Sequence, residues 1–202
     1  MSIRALILDY GEVLSLPQPA DALPSMAAAA QAAAQPFADA YWRYRGDYDR
    51  GMPATEYWQS VLADAHAACR QADDIQRLVA LDVRSWTGYR EEVWTLVEQQ
   101  RAAGVRTAVL SNGVPEIMEV IERERAISTK FDTVVVSYEV GCAKPDAEIF
   151  ELTLDRLGVA AADALFVDDR EVNLDGARRV GLQTLHFTGP HAVDSLRAAL
   201  RS

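Results

Sequence analysis

Cysteine and lysine are scarce in this sequence, and long hydrophobic runs are missing from it. Two cysteines, Cys69 and Cys142, occur among 202 residues, too few for the disulfide framework of a small secreted domain. No apolar stretch approaches the ~20 residues that span a bilayer, and the alanine-rich segment 26–35 is much shorter. The chain enters a strand-like run at Ile3 without the regions of a signal peptide. We therefore expect a cytoplasmic protein that does not bind membranes.

Basic residues are also fewer than acidic ones in this sequence. The formal net charge is −10 and the isoelectric point is about 4.8, so phosphate backbones and anionic lipid surfaces would be repelled. We expect no nucleic-acid partner, and instead a small ligand whose charge is handled locally, bound by a monomer or a homodimer. Only Lys130 and Lys144 stand against 18 arginines, so a lysine here can be present for its compact ammonium group.

The pattern of apolar residues changes twice along the chain. An apolar run at 3–8 is typical of a buried parallel strand. Residues 19–85 have apolar positions at helical spacing and no convincing strand, and Pro53 is expected at the first position of a helix. From Glu91 onward, helical and strand-like segments alternate, which indicates right-handed βαβ crossovers and a parallel sheet.

These segments predict an α/β protein with two parts. The first is a Rossmann-like parallel sheet with helices on both faces, formed by residues 1–15 and 87–202. The second is an all-helical cap at 16–86, inserted after the first strand. Because that insertion leaves from the carboxyl end of a strand, it is expected to lie over the edge where such sheets bind ligands.

Polar residues follow three of the predicted strands directly. Asp9 ends the first run in LILDYGEVL, Ser111 and Asn112 end VLSNG, and Asp168 and Asp169 end FVDD. Lys144, in AKPD, is a fourth element between them. Since the carboxyl ends of parallel strands meet at one edge, these side chains are expected to share a pocket suited to metal-assisted phosphoryl chemistry.

The four motifs, in this order and spacing, resemble those of the haloacid dehalogenase-like hydrolase superfamily. The resemblance covers the whole chain. The SNG, KPD and DD…N forms are similar to the branch that contains the phosphatase domain of soluble epoxide hydrolases and small sugar-phosphate phosphatases. Each motif alone is a common turn or cap pattern, and the signal comes from all four in register.

The resemblance implies a role for each motif residue in a hydrolase with Mg²⁺ as cofactor. Asp9 would be the nucleophile, and the metal would be held by Asp9, the Gly11 carbonyl and Asp169, with Asp168 beside them. A small phosphorylated metabolite would be bound at Ser111, Asn112 and Lys144. Separately from the resemblance, Arg45 of the cap is a candidate contact for a second anionic group of the ligand.

Gly11 is a departure from that family pattern. Phosphatases of the superfamily usually have Asp there, which protonates the leaving oxygen and later activates water, whereas Glu12 follows here. Three interpretations stay open. The first is a phosphatase in which Glu12 or a cap residue supplies the proton, or whose leaving group needs little protonation. The second is a 2-haloacid dehalogenase, although the Asp168–Asp169 pair argues against it. The third is a weakly active or regulatory member.

Overall fold

The structure is a computed structural model that describes residues 3–69 and 71–201. Its sheet has five parallel strands in the order β3-β2-β1-β4-β5. They are β1 (Ala5–Leu8), β2 (Arg106–Ser111), β3 (Thr133–Val136), β4 (Ala164–Asp168) and β5 (Gln183–His186). The central strand β1 pairs with β2 on one side and β4 on the other, with Leu8 opposite both Val109 and Val167.

Helices connect the strands and cover the sheet. Four of them follow β1 in the chain and precede the helix that leads into β2: α1 (Ala22–Ala29), α2 (Ala34–Asp49), α3 (Ala54–Asp64) and α4 (Ala72–Trp86). The others are α5 (Glu91–Ala102), α6 (Pro115–Arg125), α7 (Ile127–Lys130), α8 (Ser137–Val140), α9 (Ala147–Leu157), α10 (Glu171–Arg179) and α11 (Ala192–Ala199).

Both faces of the sheet are buried, because successive strand residues point in opposite directions. Leu6 and Leu8 of β1 belong to the core that includes α5, α6 and α11. Ala5 and Ile7 face the second core, which includes α9 and α10. This arrangement confirms the predicted Rossmann-like sheet with helices on both faces.

Helices α1–α4, here called the insertion, leave the sheet after β1 and return before α5. They pack around aromatic side chains, with the Tyr48 and Tyr57 rings stacked at 4.3 Å. The two connections run side by side, since Leu16 N donates to the Gly88 carbonyl and Arg90 N to the Leu14 carbonyl. The insertion is helical as expected, while the domain limits at residues 16 and 86 stay a prediction.

Details of the elements differ from the sequence-based expectations. Pro53 lies one residue before α3 and caps it instead of starting it. The alanine-rich segment 26–35 is divided between the end of α1 and the start of α2. The short helices α7 and α8 were not predicted, because four residues are too few to show a helical period. Within the described ranges, no helix is long and apolar enough to cross a membrane.

Candidate active site

A cavity of about 720 Å³ lies between the carboxyl ends of the strands and the insertion. Its sheet side is formed by residues that follow β1, β2 and β4, and its other side by α2 and α4. All predicted site residues except Asp168 line it: Asp9, Gly11, Glu12, Arg45, Ser111, Asn112, Lys144 and Asp169.

Asp9 lies at the buried end of this cavity, immediately after the central strand. Its backbone N–H donates to the Val167 carbonyl at 2.9 Å, which continues the β1–β4 pairing by one residue. Its Oδ1 accepts hydrogen bonds from the Tyr10 N–H at 2.6 Å and pairs with Lys144 Nζ at 2.8 Å. Both contacts found among the described residues use Oδ1, which leaves Oδ2 without a protein donor there.

Lys144 is buried between two carboxylates. Its Nζ lies 2.7 Å from Asp168 Oδ2 and 2.8 Å from Asp9 Oδ1. Burial alone would lower the pKa of Lys144, but the attraction of Asp168 and Asp9 outweighs it and raises the pKa. The ammonium is therefore charged at neutral pH and fixed in position.

Asp168, at the end of β4, stands behind the cavity wall and is 0% exposed. Its carboxylate accepts hydrogen bonds from Lys144 Nζ, from the Arg170 N–H at 2.8 Å and from Asn173 Nδ2 at 3.0 Å. Asn173, in the first turn of α10, holds both carboxylate oxygens. These contacts make Asp168 the partner that orients Lys144.

Asp169 faces the cavity, and no side chain of the described ranges donates a hydrogen bond to its carboxylate. Oxygens of Asp9, Asp168 and Asp169 lie within 4.8 Å of one another. Burial raises the pKa of Asp169 to about 6, and the charges of Asp168 and Glu12 add to that effect. Burial likewise raises the pKa of Asp9 to about 7, because Lys144 offsets only part of it and Asp168 opposes Lys144. The carboxylate cluster thus holds more negative charge than Lys144 neutralises.

Ser111 and Asn112 have different surroundings although they are adjacent. The Ser111 hydroxyl is free of strong contacts among the described residues, its nearest acceptor being the Asn112 carbonyl at 3.4 Å. The Asn112 side chain instead binds the backbone of Lys144, accepting from its N–H at 2.8 Å and donating to its carbonyl at 2.9 Å. Asn112 therefore fixes the loop that carries the lysine.

Gly11 and Glu12 lie in the turn Tyr10–Leu14, which leads from Asp9 toward the insertion. Gly11 has φ −59° and ψ 129°, a conformation open to any residue. A Cβ at Gly11 would lie 3.8 Å from the ring of Trp86 on α4. Glu12 has φ 56°, in the left-handed region, and this residue lines both this cavity and a second one of about 480 Å³.

Arg45 reaches the cavity from α2 but is already paired. Its Nε donates to Asp49 at 2.9 Å, and its Nη1 donates to the Tyr41 hydroxyl at 2.5 Å and lies 3.4 Å from Asp82. Burial alone would lower the pKa of Arg45, but Tyr41 and the two carboxylates raise it well above its ordinary value. Two carboxylates around one guanidinium leave no net positive charge for a second anionic group of a ligand.

Three residues of the site were not selected from the sequence. Asn173 belongs to the fourth motif, five positions after Asp168, and a role could have been inferred from that spacing. Ser137 directly follows β3, so it could have been predicted in the same way as Ser111, as a polar residue at the carboxyl end of a strand. Trp86 gives no signal in the sequence, because only the tertiary packing of α4 brings it beside Gly11.

A comparison with protein-family models identifies the family of this chain. A family model for haloacid dehalogenase-like hydrolases matches residues 3–181. The chain is 38% identical over 109 residues to the mouse acyl-CoA dehydrogenase family member 10. It is 30% identical to phosphoserine phosphatase from Thermus thermophilus, over 63% of this chain and 51% of that protein. It is 24% identical to (S)-2-haloacid dehalogenase 4A from Burkholderia cepacia, over 65% of this chain and 60% of that protein.

This chain matches only part of the length of the first curated relatives. The alignments span 10%, 36% and 51% of their lengths.

A solved structure of a HAD family enzyme from Bacteroides thetaiotaomicron shares the fold over nearly the whole chain. Its TM-score is 0.80 at 18% identity, with 98% of this chain and 99% of that chain covered. The same enzyme was solved in complex with magnesium and inorganic phosphate, with a TM-score of 0.77.

Proposed function

Because this chain belongs to the haloacid dehalogenase-like hydrolases, we propose that it is a Mg²⁺-dependent phosphatase acting on a small phosphorylated metabolite. The observation that supports this most is the convergence of Asp9, Lys144 and Asp169 at the buried end of one cavity. A carboxylate nucleophile beside a fixed ammonium and a second carboxylate suits transfer of an anionic phosphoryl group.

Asp9 is the proposed nucleophile. Lys144 and the Tyr10 N–H hold its Oδ1, so Oδ2 is the oxygen available to attack phosphorus. The new Oδ2–P bond forms as the bond from phosphorus to the ester oxygen breaks, and that oxygen leaves with the electron pair. Water then attacks the aspartyl-phosphate, which releases inorganic phosphate and restores the carboxylate.

The donor set of the cavity fits Mg²⁺. Three carboxylates, on Asp9, Asp168 and Asp169, face the single ammonium of Lys144, so their ionised forms together carry two more negative charges than Lys144 neutralises, which favours a divalent cation. Oxygen ligands are those that Mg²⁺ prefers, and Asp9, Asp169 and the Gly11 carbonyl are the proposed ones. Bound Mg²⁺ would neutralise charge on the nucleophile and on the phosphoryl oxygens. Asp168 is assigned to Lys144 instead, because its oxygens already accept hydrogen bonds.

Ser111 and Lys144 are the proposed phosphoryl-binding side chains. The Ser111 hydroxyl is exposed to the cavity side and can donate to a phosphoryl oxygen, while the ammonium of Lys144 offsets its charge. Asn112 contributes by holding the Lys144 backbone. Arg45, whose charge is neutralised by Asp49 and Asp82, forms part of the cavity wall on the side where the leaving group would lie.

Activity in the presence and absence of metal tests this proposal. Hydrolysis of p-nitrophenyl phosphate should require Mg²⁺, stop with chelator and fall by on the order of 10³-fold or more in Asp9→Asn. Asp169→Asn should raise the Mg²⁺ concentration needed for half-maximal activity. Asp155→Asn, on the exposed side of α9, is the matched control and should behave like wild type. Full activity in chelator would exclude the metal assignment.

A 2-haloacid dehalogenase is the second candidate, favoured by the absence of a carboxyl group at Gly11, since a halide leaves without a proton. Chloride release from short 2-chloroacids, measured with the same preparation, separates the two. Halide release without phosphate ester hydrolysis would replace the phosphatase proposal.

Glu12 is the proposed proton donor within the phosphatase. Glu12→Gln should lower kcat by about 10-fold or more for alkyl phosphates, whose leaving oxygen needs a proton, and much less for p-nitrophenyl phosphate. Equal effects on both substrates would mean that another group supplies the proton. Gly11→Asp, compared with Gly11→Asn, then measures whether an acid at that position adds to the rate.

A further inference from the structure

Ser137, the first residue of α8, joins the insertion to the loop that follows β2. Its side chain is fully buried. The hydroxyl donates a hydrogen bond to the Asp49 carbonyl and accepts one from the Gly113 N–H at 3.1 Å. One hydroxyl group therefore contacts both the last residue of α2 and the residue two positions after Ser111.

The Asp49 side of this link belongs to the cavity wall. The Asp49 carboxylate accepts from Arg45 Nε at 2.9 Å, and both residues line the cavity. The turn that follows lies against α8, since a Cβ at Gly51 would be 3.6 Å from the Tyr138 carbonyl. One residue earlier, the Tyr48 hydroxyl donates to Glu116 on α6 at 2.9 Å. The end of α2 is thus docked on the sheet part at several points.

The Gly113 side of the link is tightly packed. A Cβ at Gly113 would lie 3.2 Å from Val136 Cγ1 and 3.7 Å from Ser111 Oγ. Gly113 is packed against β3 and is only two residues from Ser111 in the chain. A shift of the Gly113 backbone would therefore also move the backbone that carries the Ser111 hydroxyl. A buried N–H that loses its partner also tends to move toward another acceptor.

We propose that Ser137 is a positioning residue that makes the placement of the Ser111 loop depend on the docking of α2. The inference rests on the proposed function for the role of Ser111. A leaving group that fills the insertion side of the cavity contacts the wall formed by Arg45 and Asp49. This contact keeps the Asp49 carbonyl in place to accept the hydrogen bond from the Ser137 hydroxyl. Binding of the leaving group and binding of the phosphoryl group are then coupled through one hydroxyl.

Amide hydrogen exchange tests the coupling without any catalytic activity. Tyr48→Phe removes the hydrogen bond to Glu116 and loosens the docking of α2, so exchange in 111–114 should quicken roughly five- to tenfold, as for loss of one hydrogen bond. In a Ser137→Ala background, Tyr48→Phe should produce no further change in 111–114. An equal additional effect in that background would overturn the proposal, because the coupling would then bypass Ser137.

Thr153→Ala is the matched control for loss of a buried hydroxyl. Thr153 is fully buried on α9, and its hydroxyl donates to the Ile149 carbonyl within the same helix. Ser137→Ala should quicken exchange both in 49–52 and in 111–114, whereas Thr153→Ala should leave both segments as in wild type. Faster exchange in only one of the two segments would make Ser137 a local structural residue.

Kinetics provide the second readout. In Ser137→Ala, KM for p-nitrophenyl phosphate and the inhibition constant of inorganic phosphate should rise together by about tenfold, the effect of one lost hydrogen bond to a charged group. Unchanged phosphate inhibition would contradict the proposal. If wild type hydrolyses no phosphate ester, the proposed function fails while the exchange experiment still decides the coupling.

Discussion

At the scale of single residues, the Asp9–Lys144–Asp168 contacts explain how three charged groups are tolerated in a buried position. Each of the three groups has an opposite charge or a hydrogen-bond donor within 3 Å of at least one of its charged atoms, which reduces the penalty for burying charge. Burial, to which the neighbouring carboxylates add, raises the pKa of both Asp9 and Asp169.

The raised pKa of Asp9 predicts how stability depends on pH in chelator. The folded protein holds a proton on Asp9 up to about pH 7, whereas the unfolded chain loses it near pH 4. The folded state therefore binds more protons between these values, and this contribution lowers the free energy of unfolding as the pH rises. The Asp9→Asn variant has no such proton. The difference between its free energy of unfolding and that of wild type should therefore increase, in favour of the variant, by on the order of 2 kcal/mol from pH 5 to pH 8.

Urea denaturation of both proteins at several pH values measures this difference. Added Mg²⁺ should reduce it, because a bound cation favours the ionised carboxylate. Parallel pH profiles in chelator would show that the Asp9 carboxyl is not perturbed.

At the scale of elements, the close approach of α10 to the Lys144–Pro145 loop is the tightest contact among the described glycines. A Cβ at Gly176 would lie 2.5 Å from the Pro145 carbonyl and 2.9 Å from Phe150 on α9. Only glycine allows α10 to pack at this distance, and the contact fixes the residue that follows Lys144.

Gly176→Ala should therefore cost about 2 kcal/mol or more in the free energy of unfolding, and it should lower the proposed phosphatase activity because Pro145 must move. Gly46→Ala on α2 is the matched helical glycine, where the nearest atom is 3.9 Å from a Cβ. That change should stabilise by roughly 0.5–1 kcal/mol, the gain in helix propensity. Chemical denaturation measures both, and similar values for the two variants would mean that α10 can shift without penalty.

The sheet and the polar residues at its edge could be predicted from the sequence, because period and strand ends are local signals. Apolar runs ending in Asp9, Ser111 and Asp168 mark the strands and the residues that converge after them. The pairing of Arg45 with Asp49 and Asp82 could not be predicted, since Asp82 lies on α4 and meets α2 only after the insertion has packed. The same holds for Trp86 beside Gly11.

At the scale of the whole molecule, the acidic surface opposes the approach of the proposed substrate. The net charge is −10, and a phosphate ester is also negative, so their long-range interaction is repulsive until Lys144 and a metal act at short range.

The value of kcat/KM for a dianionic ester should consequently rise by about two- to threefold between 10 and 150 mM salt, as the Debye length shortens to ~8 Å. The rate constant kcat at saturating substrate should change little, which serves as the internal control. A steep fall of kcat/KM with salt would instead indicate a local positive field that attracts the ester.

The central place of β1 also has a consequence for how the molecule folds. Leu8 pairs with Val109 and Val167, which are about a hundred or more positions later in the chain. Such contacts close long loops, so they are expected to form slowly, and a chain emerging from the ribosome cannot complete them until β4 has been synthesised. The contact between Lys144 and Asp168 also requires β4, and the insertion can collapse around its aromatic residues well before then. Catalytic competence would therefore be acquired at the end of folding, whereas the helices above the site can be structured early.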